Sequence, residues 1–179
     1  MKKESIIEVA SELFSKSGYR SVSMSSIAKK LKITKPALYY HFKNKEELYM
    51  KAINNAFEKT MKEMQRSLKN SESSLTSLSM AYLRAGQKRG SFSKIASYNR
   101  DTSINSDYLK DLKEKILAIF EKNIIDSQER KLKKKRSFKN EAVLLVGLID
   151  GLMMNVKLKN SKIKEQIKRV IPMVTKVEG

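Results

Sequence analysis

The sequence predicts an all-α protein, and three observations lead there. Apolar residues recur at spacings of three and four, as in Ile6, Ala10, Leu13, Phe14 and again Ile116, Ile119, Phe120, Ile124. Period-two alternation, the mark of a half-buried strand, is scarce. Only two prolines and six glycines interrupt 179 residues, so few positions force a helix to stop.

The elements follow in order. A first helix runs from Lys3 to Ser17, and Gly18 ends it because glycine accepts the left-handed conformation that closes helices. Ser23 caps a short second helix whose inner face is Ile27, Ala28 and Leu31. The turn Lys32-Ile33 drops Ile33 into the core. Thr34 caps the third helix, with Pro36 in its first turn, where a missing N–H does no harm. Leu38 and Phe42, four apart, point inward together. Asn44-Lys45-Glu46-Glu47 reads as a capping box that opens a long fourth helix reaching Leu68. Its apolar face is Leu48, Ala52, Ile53, Ala56, Phe57 and Met64. Further helices are expected over Leu75–Gln87, Phe92–Tyr98, Ser106–Glu129, Phe138–Leu158 and Ile163–Val177. Gly90 breaks the chain before the short sixth helix, and a basic run, Arg130–Arg136, precedes the eighth.

Composition narrows the function classes. The formal charge is +19, from 38 Lys and Arg against 19 Asp and Glu, which favours polyanionic partners. Residues 1–47 hold only +5 of that surplus, so much of the lysine excess reads as solvated surface. With no cysteine, disulfide scaffolds, thiolate metal sites and cysteine nucleophiles are excluded. His41 is the only histidine, which leaves no histidine metal cluster and little for a histidine-based triad. No glycine-rich phosphate loop occurs. The expectation is a non-enzymatic protein with no cofactor and no metal. The start MKKESIIEVASELF lacks a signal-length apolar run, and the apolar stretch Ala142–Val156 is too short and carries Asp150. A soluble, cytoplasmic protein that does not enter a membrane is expected.

The segment Ser23–Leu48 carries the chemistry. Two short helices joined by a tight turn place the N-terminal half of the second against base edges in a DNA groove. That half is Thr34, Lys35, Pro36 and Ala37. Lys35 can donate to guanine, and Pro36 or Ala37 can touch a thymine methyl. Thr34, Tyr39, Tyr40, His41 and Lys45 can donate to phosphates, and Ser25 is placed to reach the DNA backbone as well. Lys29, Lys30, Lys32 and the run Lys131–Arg136 read as solvated charge. The blander alternative for Tyr39, Tyr40 and His41 is packing, and for Lys45 simple helix surface.

Ser23–Leu48 resembles the DNA-binding segment of TetR-type transcriptional regulators. There a helix-turn-helix ends in Leu-Tyr-x-x-Phe and is followed by Lys-x-Lys-Glu-x-Leu. Here those are Leu38-Tyr39-Tyr40-His41-Phe42 and Lys43-Asn44-Lys45-Glu46-Glu47-Leu48. Beyond residue 50 the likeness is one of layout. The resemblance implies a helix-turn-helix DNA-binding domain over 1–47 and a helical effector-binding and dimerisation domain over 48–179. It implies a repressor that binds a double-stranded palindromic operator as a homodimer and answers to a small-molecule effector. The rival reading is a helical protein that binds nucleic acid or anionic membrane through charge alone.

For the second domain, Ala142–Val156 is apolar almost all round, and Gly147 and Gly151 let another helix approach. The readings are a plain core helix or a four-helix pairing of two subunits. On the second, Ala142, Val143, Val146, Gly147, Asp150, Gly151, Met154, Ile163, Ile167 and Val170 lie near the interface. The effector pocket that the resemblance implies would be lined by Phe57, Met61, Met64, Tyr82, Phe92, Tyr98, Tyr108 and Phe120, unless these are ordinary core.

Overall fold

The computed structural model describes residues 2–69, 74–97, 106–128, 137–155 and 160–175, the side chains of 154, 155, 160 and 161 excepted. Among the described residues the chain is helical without strands: α1 Lys3–Ser21, α2 Met24–Leu31, α3 Lys35–His41, α4 Lys45–Leu68, α5 Leu75–Gln87, α6 Phe92–Ser97, α7 Ser106–Gln128, α8 Lys139–Asn155 and α9 Asn160–Thr175. Each expected helix is present. The basic run before α8 and Tyr98 at the end of α6 lie outside the described residues.

The chain ends that matter most follow from local chemistry. Gly18 stands at φ 73°, ψ 167°, breaking α1 where the sequence places its stop, and the chain then coils once more through Tyr19–Ser21. Ser23 and Ser26 form a reciprocal cap, each hydroxyl accepting the other's backbone N–H at 3.0 Å. At the far end of α2, Lys32 takes the left-handed conformation at φ 55°. The Ile33 N–H then donates to the Ala28 carbonyl at 3.1 Å, which closes the turn. Thr34 Oγ1 accepts from the Ala37 N–H at 3.3 Å to open α3. Asn44 Oδ1 accepts from the Glu47 N–H at 2.8 Å. Glu47 Oε2 reaches back one residue beyond the expected box, to the Lys43 N–H at 2.8 Å.

Packing divides the chain into two compact units: residues 1–60 with 86–106, and residues 61–85 with 107–179. In the first, Ile6, Ala10 and Phe14 of α1 meet Ile27 and Ala28 of α2, Leu38 and Phe42 at α3, and Leu48, Ala52 and Ile53 of α4 in one buried core. Phe92, Ile95 and Ala96 of α6 are buried in this unit as well, because α6 packs on α1. Gly90 makes that approach possible. It lies at φ 66°, its N–H donates to Ser15 Oγ at 3.1 Å, and a Cβ there would stand 2.9 Å from Ser11 Cβ. In the second unit, Leu109, Leu112, Ile116, Phe120 and Ile124 form the buried stripe of α7. They face a core that includes Leu78, Tyr82, Phe138, Ala142, Leu145, Ile149, Ile163 and Ile167. Glu121 Oε1 accepts from the Phe138 N–H at 3.1 Å and the Ser137 hydroxyl at 2.6 Å, fixing the start of α8 against α7.

Candidate nucleic-acid interface

Helix α3 is seven residues long and buries one of them, Leu38. With Phe42 just past its end, Leu38 anchors one side in the core. The other side is left outside: Thr34, Lys35, Pro36 and Ala37 are exposed, and so are Tyr39 and Tyr40, the latter 87% exposed. Two neighbouring exposed tyrosines give this short helix an aromatic surface that a binding partner can use. The Lys35 ammonium lies 5.9 Å from the Tyr39 ring centroid. His41 is half-buried, its ring edge-on to Tyr40 at 5.3 Å. Ser25 is exposed in the first turn of α2. The sequence-derived candidates Ser25, Thr34, Lys35, Pro36, Ala37, Tyr39, Tyr40 and His41 thus lie on α2, α3 and the cap between them.

Lys45 is placed differently. It is half-buried, its Nζ donates to the Tyr19 carbonyl at 3.1 Å, and it sits 4.0 Å over the Tyr19 ring. Burial lowers its pKa from the usual lysine value. The contact ties the start of α4 to the end of α1. Tyr19 in turn packs on Tyr49, which lies edge-on to Phe14 at 4.9 Å. Sequence reasoning passed over Lys3, which stands 5.0 Å over the Phe42 ring and so brings the basic start of α1 beside the end of α3. A lysine in the first turn of an amphipathic helix is common, so no pattern singles it out.

The residues expected to line a pocket are mostly core. Phe57 and Phe92 pack edge-on at 5.5 Å in the first unit. In the second, Met64, Tyr82 and Phe120 are buried, while Met61 and Tyr108 are half-buried. Tyr82 borders a cleft of about 170 Å³ between α5, α7 and α8. Of the residues expected at a subunit interface, Ala142, Val146, Ile163 and Ile167 are buried in their own unit. Val143, Gly147 and Gly151 are exposed, Asp150 and Val170 are half-buried, and the Met154 side chain lies outside the described residues. The sequence reading missed Leu144 and Leu148, 59% and 47% exposed, which stand one turn apart on the outer side of α8. Their spacing of four was the available signal.

Among known proteins, residues 6–52 match the family of bacterial regulatory proteins of the tetR type. The biofilm operon icaADBC HTH-type negative transcriptional regulator IcaR of Staphylococcus epidermidis is 46% identical over 55 residues, 31% of this chain and 30% of that protein. The matched stretch therefore spans less than a third of that relative's length. The structure resembles that of PfmR, a TetR family transcriptional regulator from Thermus thermophilus, with a TM-score of 0.76 at 16% identity over 100% of this chain and 98% of the other. It also resembles AibR, solved in complex with isovaleryl coenzyme A and operator DNA, with a TM-score of 0.75 at 19% identity over 96% of each chain. Residues 6–52 thus carry the signature of the tetR family of bacterial regulatory proteins, and over its whole length the chain has the fold of these solved structures.

Proposed function

We propose that the protein is a transcriptional repressor that binds a palindromic operator as a homodimer and releases it on binding a small molecule. The observation that carries this reading is the exposed face of α3, where Lys35, Pro36, Ala37, Tyr39 and Tyr40 stand outside a helix anchored by Leu38. Lys35, Pro36 and Ala37 would meet base edges, and Ser25, Thr34, Tyr39, Tyr40 and His41 would hold phosphates. Lys45 keeps two N–H donors beyond the one spent on Tyr19, and these are available to a phosphate. Residues 1–47 would form the DNA-binding domain and 48–179 the effector-binding and dimerisation domain, with the start of α4 and α6 packed in the same compact unit as the DNA-binding helices. AibR, similar in fold, is described with both operator DNA and an acyl-coenzyme A, which supports a two-ligand reading. The second copy would seat on the outer side of α8, where Leu144, Leu148 and Gly151 are exposed. Because α4 contributes to both units, an effector in the second could act on the first through that helix. It can do so only by binding the two states unequally.

Selection from a pool of random duplexes tests the reading. Enriched sites should be palindromic, with half-sites about 34–36 Å apart or a multiple of that spacing. Enrichment without symmetry, or none at all, would favour the rival reading, in which a charge of +19 binds any polyanion. That rival also includes anionic membrane surfaces. Among the described residues no helix is long and apolar enough to cross a membrane.

A further inference from the structure

We propose that Tyr19 is a positioning residue for DNA binding: its ring and carbonyl hold the Lys45 ammonium at the start of α4, set in advance for a backbone phosphate. The proposal deepens the DNA-binding reading above and rests on it for the phosphate that Lys45 meets. Lys45 is the first residue of α4, followed by Glu46 and Glu47. A cation there is opposed by the helix dipole, whose positive end lies at that terminus. A lysine side chain is also flexible, and ordering it on contact costs entropy. Tyr19 offsets both costs.

Past the break at Gly18 the chain makes only one more turn, so the Tyr19 carbonyl has no continuing helix to bond. It accepts from the Val22 N–H at 3.4 Å and from Lys45 Nζ at 3.1 Å. The negative end of α1 thus meets the ammonium that the positive end of α4 repels. The Tyr19 ring lies under the same ammonium, with Nζ 4.0 Å from its centroid, well within cation–π range. That ring is itself fixed, for it packs against Tyr49 at 4.8 Å and on Phe14 at 6.1 Å, both buried. Lys45 therefore rests on a rigid seat and loses less freedom when a phosphate takes its two remaining N–H groups. A plain packing role for Tyr19 would need the ring but not the lysine, and that difference is measurable.

The experiment is a double-mutant cycle on the full chain, with Tyr19→Leu, Lys45→Met and the pair, and Tyr19→Phe beside it. Each is titrated by fluorescence anisotropy, over a range of salt, against the duplex selected from the random pool and a scrambled duplex of the same length. Leucine keeps apolar bulk and the backbone carbonyl but loses the aromatic face. Tyr19→Leu should weaken binding to both duplexes by about three- to tenfold with no change in salt slope, since Lys45 still reaches its phosphate. Lys45→Met should weaken both and lower the slope by about one per subunit. Once Lys45→Met is present, Tyr19→Leu should cost nothing further. Tyr19→Phe, which keeps the ring, should bind as the unaltered chain does. Equal losses from Tyr19→Leu with and without Lys45→Met, no loss at all, or a loss in Tyr19→Phe as large as in Tyr19→Leu would overturn the role of Tyr19 and leave Lys45 as a phosphate contact. No change in affinity or salt slope from Lys45→Met would remove both. Equal affinity of the unaltered chain for the two duplexes would contradict sequence-specific binding, and the cycle would still decide the role of Tyr19.

Discussion

Lys35 and Tyr40 differ in what they can report. Lys35 occupies the first helical position of α3, at the end that a helix-turn-helix turns toward base edges. Replacing it with alanine should cost about 1–3 kcal/mol on the selected site and flatten the preference among sites. Tyr40 stands further along, and its hydroxyl suits a phosphate. Tyr40→Phe should weaken binding to every duplex alike, as read by fluorescence anisotropy. If the two variants behave the same way, the orientation of α3 is wrong. Tyr49 makes a stability test in the same unit. It is 1% exposed and its hydroxyl has no hydrogen-bond partner among the described residues. Burial, with Tyr19 nearby, pushes its pKa well above the ordinary tyrosine value. A buried unpaired hydroxyl costs on the order of 1–3 kcal/mol, so Tyr49→Phe should raise stability by about 1 kcal/mol in a urea titration. A loss instead would show that the hydroxyl has a partner. The exposed residues of α3 were legible because Leu38 and Phe42, four apart, fix the inner side and leave the rest outside. Tyr49 was not, since its burial depends on Tyr19 and Phe14, far away along the chain.

Among the elements, the helix ends were read most accurately. Ser23, Thr34 and Asn44 each cap the helix expected, because a cap is a contact within three residues and needs no tertiary structure. Two local details escaped. The αL position in the turn falls on Lys32, a residue type with no preference for it, and Glu47 caps to Lys43 and not to Asn44. Helix α6 is a larger miss. Sequence order groups it with the second domain, whereas its Phe92, Ile95 and Ala96 are buried in the unit that α1 belongs to. Nothing in six residues states which distant helix they will meet. The contact is testable through Gly90. Alanine there would put Cβ 2.9 Å from Ser11 Cβ and 3.1 Å from the Ser11 backbone carbon, at a positive φ. Gly90→Ala should therefore destabilise the protein by about 1–3 kcal/mol, measured by chemical denaturation. A neutral outcome would mean that α6 packs less tightly on α1 than these distances require.

At the scale of the whole molecule, charge and self-association decide between specific and indifferent binding. A surplus of +19 will draw any duplex at low salt, and that affinity falls steeply as salt rises. The proposed specificity rests on two recognition helices at a fixed spacing, which a dimer would supply. Leu144 and Leu148 on the outer side of α8 are the surface proposed to make it. Leu148→Glu should leave a folded monomer in analytical ultracentrifugation and lower operator affinity by at least about tenfold, since each copy then reads one half-site. A dimer that survives the change would place the interface elsewhere. The cleft at Tyr82 and Asp150 belongs to this scale too. Tyr82 and Asp150, which meet there through a hydrogen bond, lie 68 positions apart in sequence, and no local pattern joins them. The most direct test of the account compares, at physiological salt, the affinity for the selected palindrome with that for a scrambled duplex of the same length. Preference of roughly 10³-fold or more is expected for a specific regulator. Equal affinity for the two, falling in parallel as salt is raised, would contradict it.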